Sequence, residues 1–221
     1  MSAITRIGVA AAAALCAAPA AANPTLGGPM SHLLVSVFNQ QVFLSFESPS
    51  MSTVTMQAGG GFSGPASVLN GTGYNGQFGW LANGFVALPP GAGVFVRAVE
   101  SSPWLSVYAQ SGFAPILGTD GSDALWQWNG TMTHNWYATR VHGEHRVSYE
   151  VFVGNASGDP LAGWTPGTIA LAFEHGDARG VHAYNPGDVR PGTTGAGVGP
   201  VPAPGGAVLA LGGLFFARRR R

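Results

Sequence analysis

Histidine is the residue type best suited to chemistry in this 221-residue chain, and five of its six copies fall in the second half. His142 and His145 are separated by Gly143-Glu144, His134 stands one expected strand earlier, and His175 and His182 bracket Asp177. Two or three imidazoles with a carboxylate make a zinc donor set if a hairpin gathers them. The competing reading places all five in or beside turns, where polar side chains are solvated. H-x-x-H in a loop lacks the one-face geometry of H-E-x-x-H on a helix. No metal site is therefore favoured, and His134, His142 and His145 are the candidates to watch. The turn Asp120-Gly121-Ser122-Asp123 offers the oxygen donors that calcium takes, without the further ligands of an EF-hand loop. Asp-Gly also makes an Asx-type turn with no ion at all. The expected cofactor is none, with zinc or calcium as the alternatives.

Tryptophan is the second chemical resource. Of six, Trp126 and Trp128 stand two apart and share one face of any strand that carries them. Exposed, they form a platform for stacking sugar rings; buried, they fill a core, and core is the favoured reading. Nucleophilic catalysis has little to work with. There is no Gly-x-Ser-x-Gly elbow and no phosphate-binding loop, and the single cysteine, Cys16, lies in the leader. Glu144 and Glu150 are a carboxylate pair of the kind glycoside hydrolysis uses, but they read equally as solvated strand-edge charges. No enzyme is expected.

The elements that must position these residues alternate with period two. Residues 32–38 and 41–47 flank Asn39-Gln40 and read as a hairpin. Further strands are expected at 53–57, 84–88, 94–100, 105–110, 125–128, 135–141, 146–153 and 168–174, separated by turn clusters such as Pro89-Pro90-Gly91 and Ser157-Gly158-Asp159-Pro160. Helix is expected only in the terminal signals. The fold class is therefore all-β: one antiparallel β-sandwich-like domain over residues 23–186, with a jelly roll or barrel as the alternative. Residues 187–200, rich in Gly, Pro and Thr, read as a linker.

Charge narrows the partners. There is no lysine. Outside the two ends stand five arginines (Arg97, Arg140, Arg146, Arg179 and Arg190) against all ten carboxylates, a formal charge of −5. Such a surface argues against nucleic acid as a partner. Without a cysteine beyond the leader, no disulfide is available, so packing must supply the stability.

The two ends carry addresses. Arg6, an Ala-rich apolar run and the small-x-small pattern Ala20-Ala21-Ala22 read as a secretory signal peptide over residues 1–22. Leu15 precedes Cys16 where a lipoprotein signal needs a small residue, so lipidation is not expected. Residues 201–221 read Val201-Pro202-Ala203-Pro204, then an uncharged apolar stretch, then Arg218-Arg219-Arg220-Arg221. The apolar part is shorter than the roughly 20 residues that span a bilayer comfortably. The arginines should remain cytoplasmic, and the prolines leave an extended, protease-accessible segment outside.

This three-part end resembles the PEP-CTERM sorting tail of bacterial surface proteins, with Ala203 where the family name records an acidic residue. The resemblance implies passage through the export translocase, a short C-terminal transmembrane helix, and processing near residues 201–204 by an exosortase-like membrane protease. The body is similar to uncharacterised secreted proteins of planctomycete-type bacteria. That likeness is carried by residues 83–88 with Pro89-Pro90-Gly91, by Gly118-Thr119-Asp120-Gly121-Ser122, by Trp126-Gln127-Trp128, and by Met132-Thr133-His134-Asn135-Trp136-Tyr137. Residues 149–154 with Pro160-Leu161-Ala162-Gly163 extend it. It brings no known activity. The expectation is an exported, membrane-anchored and then cell-surface or extracellular, non-catalytic matrix protein. A carbohydrate-binding module in contact with surface polysaccharide and a zinc-binding surface protein are the alternatives.

Overall fold

The computed structural model describes residues 22–48 and 53–176. Within them the chain is all-β, as the alternation predicts. Strands β1 (Ser31–Phe38) and β2 (Gln41–Phe46) form the expected hairpin. Asn39 and Gln40 both take left-handed backbone, with φ of 50° and 57°, the turn geometry whose twist matches that of the flanking strands. Asn tolerates that region and Gln much less so. The ladder on either side, rather than turn preference alone, therefore holds the second position.

The chain continues through β3 (Thr53–Ala58), β4 (Gly73–Asn75), β5 (Phe78–Val86), β6 (Gly93–Ser101), β7 (Ser106–Tyr108) and β8 (Pro115–Ile116). It then forms β9 (Leu125–Trp128), β10 (Thr133–His134), β11 (Trp136–Thr139), β12 (Gly143–Gly154) and β13 (Gly167–His175). Two sheets result. One has four strands in the order β10-β5-β1-β2, and the other has nine in the order β8-β7-β11-β4-β3-β13-β12-β6-β9. This is an architecture of sandwich or barrel type.

The structure differs from the sequence expectation in pairing direction and in helix content, as well as in the short strands β4, β8 and β10 and the earlier start of β5. The sheets are mixed rather than purely antiparallel, because β1 pairs β5 and β3 pairs β13 in parallel. Both pairs join strands remote in sequence, where no hairpin turn dictates direction. Helical backbone also occurs outside the terminal signals, as 3-10 segments at Gly64–Leu69 and Thr119–Gly121. The first carries Pro65 in its opening turn, where a fixed φ and a missing N–H suit a helix start, and it carries Leu69 at 0% exposure.

Alternation delivers the core. Leu33, Val35 and Val37 of β1 and Phe78 and Trp80 of β5 are all fully buried and face β12 and β13. The layers meet through aromatic rings: Phe78 on Phe173 at 5.5 Å, and Trp80 on Tyr149 at 5.7 Å and on Trp126 at 5.9 Å. The hydroxyls of Tyr137 and Tyr149 lie within electrostatic reach of each other in this core, with Trp80 beside Tyr137. Neither hydroxyl, nor Trp80 Nε1, has a partner at hydrogen-bonding geometry. Burial pushes both phenol pKa values well up, so both stay neutral.

A polar network ties the start of the described chain to the nine-stranded sheet. Asn75 Nδ2 donates to Thr55 O at 2.9 Å and to Gln77 Oε1 at 2.8 Å, and Gln77 Nε2 donates to Pro29 O at 2.7 Å. The buried amides of Asn75 and Gln77 are thereby paired, as burial requires.

Candidate functional site

The tryptophan pair faces inward. Trp128 is 2% exposed, and its Nε1 donates to Thr131 O at 2.7 Å. Trp126 is half-buried against Trp80 and the rest of the core. Shared facing follows from the two-residue spacing, but the face is the packed one. In the β6–β9 register Trp128 stands opposite Val94 and Trp126 opposite Val96, both buried valines of the core. Among the described residues the exposed aromatics are others, namely Phe38 and Phe43, stacked at 4.5 Å beside the β1–β2 turn, and Phe85.

The acidic turn is a backbone device. Asp123 Oδ1 accepts from Leu125 N at 2.9 Å, and Gly118 N donates to Asp123 O at 3.0 Å. That is an Asx-type closure made by Asp123.

The histidines separate into two groups on different sheets, so His134 does not join His142 and His145 as the spacing suggested. At the open end of the β12–β13 pair, Val141 O accepts from His145 Nε2 at 2.8 Å and from His175 Nδ1 at 3.1 Å. His142 stacks on His175 with centroids 4.4 Å apart. Two donors aimed at one carbonyl make a structural clasp. Among the described residues, no group of three or more His, Cys, Asp or Glu side chains is arranged to hold a metal ion. His182 and Asp177 lie outside the described residues.

Burial, aided by neighbouring His142 and His145, lowers the His175 pKa from its ordinary 6.5. The folded state then binds a proton less readily than the unfolded chain does, so stability should rise with pH through this window. His175 costs nothing above about pH 6.5. Its penalty grows as pH falls below that value and levels off beneath the lowered folded pKa. Melting temperature is expected to fall between pH 7 and pH 5, with a shallower fall in His175→Gln. Equal slopes in the two proteins would contradict this role.

The second group is a row across the four-stranded sheet. His32 of β1 and His134 of β10 both register with Gly79 of β5, and Glu47 N donates to His32 O at 2.9 Å. Because Leu33, Phe78 and Trp80 take the core side, pleating puts His32, Gly79 and His134 on the outer side. Glu47 Oε2 lies 2.5 Å from His32 Nδ1. His134 Nδ1 lies 2.9 Å from Gly76 O. A carboxylate and a carbonyl only accept, so both Nδ1 atoms carry a proton, and in the neutral form of each ring Nε2 is the atom that presents a lone pair. Both Nε2 atoms are buried without a hydrogen-bond partner. His134 is 3% exposed, and burial lowers its pKa.

Gly79 makes this approach possible. A Cβ there would lie 2.4 Å from His134 Nε2. Sequence reading missed His32 and Glu47 as site residues. The available signal was the hairpin itself: a two-residue turn that pairs Phe38 with Gln41 also sets His32 opposite Glu47.

No family model, no curated protein and no solved structure matches this chain. The sorting residues Val201, Pro202, Ala203, Pro204 and Arg218 to Arg221, the linker, and Ala20 of the cleavage pattern lie outside the described residues. Ala22 is described, and its N–H lies 3.4 Å from Gly61 O. Among the described residues no helix is long and apolar enough to cross a membrane.

Proposed function

We propose that the protein is an exported, non-catalytic component of the cell surface or extracellular matrix, delivered by a PEP-CTERM/exosortase-like route. The observation that carries this reading is the Pro-bearing, apolar and Arg-rich series of residues 201–221, in the same chain as a secretory leader over residues 1–22. The body supports it: an all-β domain with no lysine and a single cysteine in the leader, whose tryptophan pair packs inward. Surface polysaccharide is the proposed neighbour of the anchored protein.

Intact-mass analysis of the native surface fraction tests the route. The expected species begins at Asn23 and ends near residues 201–204. A surface species that keeps Arg218 to Arg221 would overturn processing but not anchoring. A cytosolic protein that retains residues 1–22 would overturn export.

A further inference from the structure

We propose that His32 and His134 bind a copper ion, as Cu(I), between their Nε2 atoms, with Glu47 as the positioning residue. The proposal stands on the body alone and is independent of the sorting route.

Three observations converge on that point. First, the two rings lie edge to face with centroids 5.6 Å apart. The Nδ1 of His32 is engaged by Glu47 on the β2 side. The two nitrogens of an imidazole point to nearly opposite sides of the ring, so Nε2 is aimed toward β5 and His134. The His134 ring atom nearest a Cβ built on Gly79 is likewise its Nε2, which places it over β5, the strand that separates the two histidines. Second, both Nε2 atoms are buried and unpartnered, and a buried lone pair normally has a donor, a water or an ion. Third, each Nδ1–H is already committed, one to a carboxylate and one to a backbone carbonyl. That is the outer-shell pattern which fixes the tautomer of a metal-bound imidazole and raises its basicity.

The ligand count selects the metal. Zinc takes four ligands, and no third His, Cys, Asp or Glu joins this pair among the described residues. Imidazole nitrogen suits copper. Cu(I) accepts two neutral nitrogens without further ligands, which matches Nε2 atoms screened from water.

The test is anaerobic titration of the purified full chain with Cu(I) against a chromogenic copper chelator. The expected result is one equivalent bound, with X-ray absorption showing two short nitrogen contacts. His32→Gln should weaken binding at least 100-fold while leaving the metal-free melting temperature in place, because His32 is at the edge of the buried set. Glu47→Gln should weaken it by about 10–100-fold, the usual cost of losing an outer-shell partner. His142→Ala should bind as the parent does. Parent affinity in His32→Gln, loss of the site in His142→Ala, or no copper retained by the parent would each overturn the proposal. Tight Zn(II) binding with Cu(I) excluded would overturn the choice of metal.

Discussion

Trp80→Ala is expected to destabilise the body by about 3–5 kcal/mol, the usual cost of truncating a buried Trp or Phe. Domain stabilities of about 5–15 kcal/mol leave little margin for that loss. Trp80 is 0% exposed and is the contact point of three strands, touching Trp126 of β9 and Tyr149 of β12 from its place on β5. Its removal opens a cavity between the two sheets that rigid strands cannot close. Urea denaturation checks this through the midpoint at constant slope; a loss under about 1 kcal/mol would show that the layers re-pack. Trp128→Ala should act in the same sense, since that indole is only 2% exposed and its hydrogen bond to Thr131 O is lost. Trp126→Ala should cost less, because that indole is only half-buried. If Trp126→Ala left melting unchanged and abolished polysaccharide retention, a sugar-binding role would regain its footing.

Gly59→Ala is expected to be nearly as damaging, through crowding rather than loss. A Cβ on Gly59 would stand 1.9 Å from Leu69 O and 3.2 Å from Thr72 O. Both are backbone atoms and neither can rotate away. The same residue exchanges backbone hydrogen bonds with the loop, donating to Thr72 O at 2.7 Å and accepting from Gly71 N at 3.0 Å. Relief therefore means moving the segment that carries Leu69, a fully buried side chain. Overpacking of this kind costs about 1–3 kcal/mol and occasionally more. Thermal unfolding of Gly59→Ala, with Gly60→Ala as the control because open space surrounds its Cβ position, separates crowding from a general glycine effect. Equal melting of the two variants would refute it.

Much of the fold was written in local pattern. The β1–β2 hairpin around Asn39-Gln40, the long alternation of β12, and β9 at residues 125–128 all depend on neighbours within a few residues, and period-two burial records them directly. Strands β4, β8 and β10 left no such trace. They have two or three residues each, too few for a period to show, and they exist because a longer strand lies alongside. The start of β5 was hidden for another reason. Gly79 interrupts its pattern, and the His134 ring occupies the space a side chain there would need.

By itself the sequence determined the all-β class, the turn positions, the absence of lysine, and the terminal segments on which the proposed export route rests. These are properties of composition and of residues close together in the chain. Tertiary structure decided which chemistry the side chains could share. It turned Trp126 and Trp128 inward, split His134 from His142 and His145, and brought His134 to His32 and Glu47. The physical reason is register: the parallel β1–β5 pair and the antiparallel β5–β10 pair fix which side chains stand abreast. A shift of one residue in either would have sent them to opposite faces.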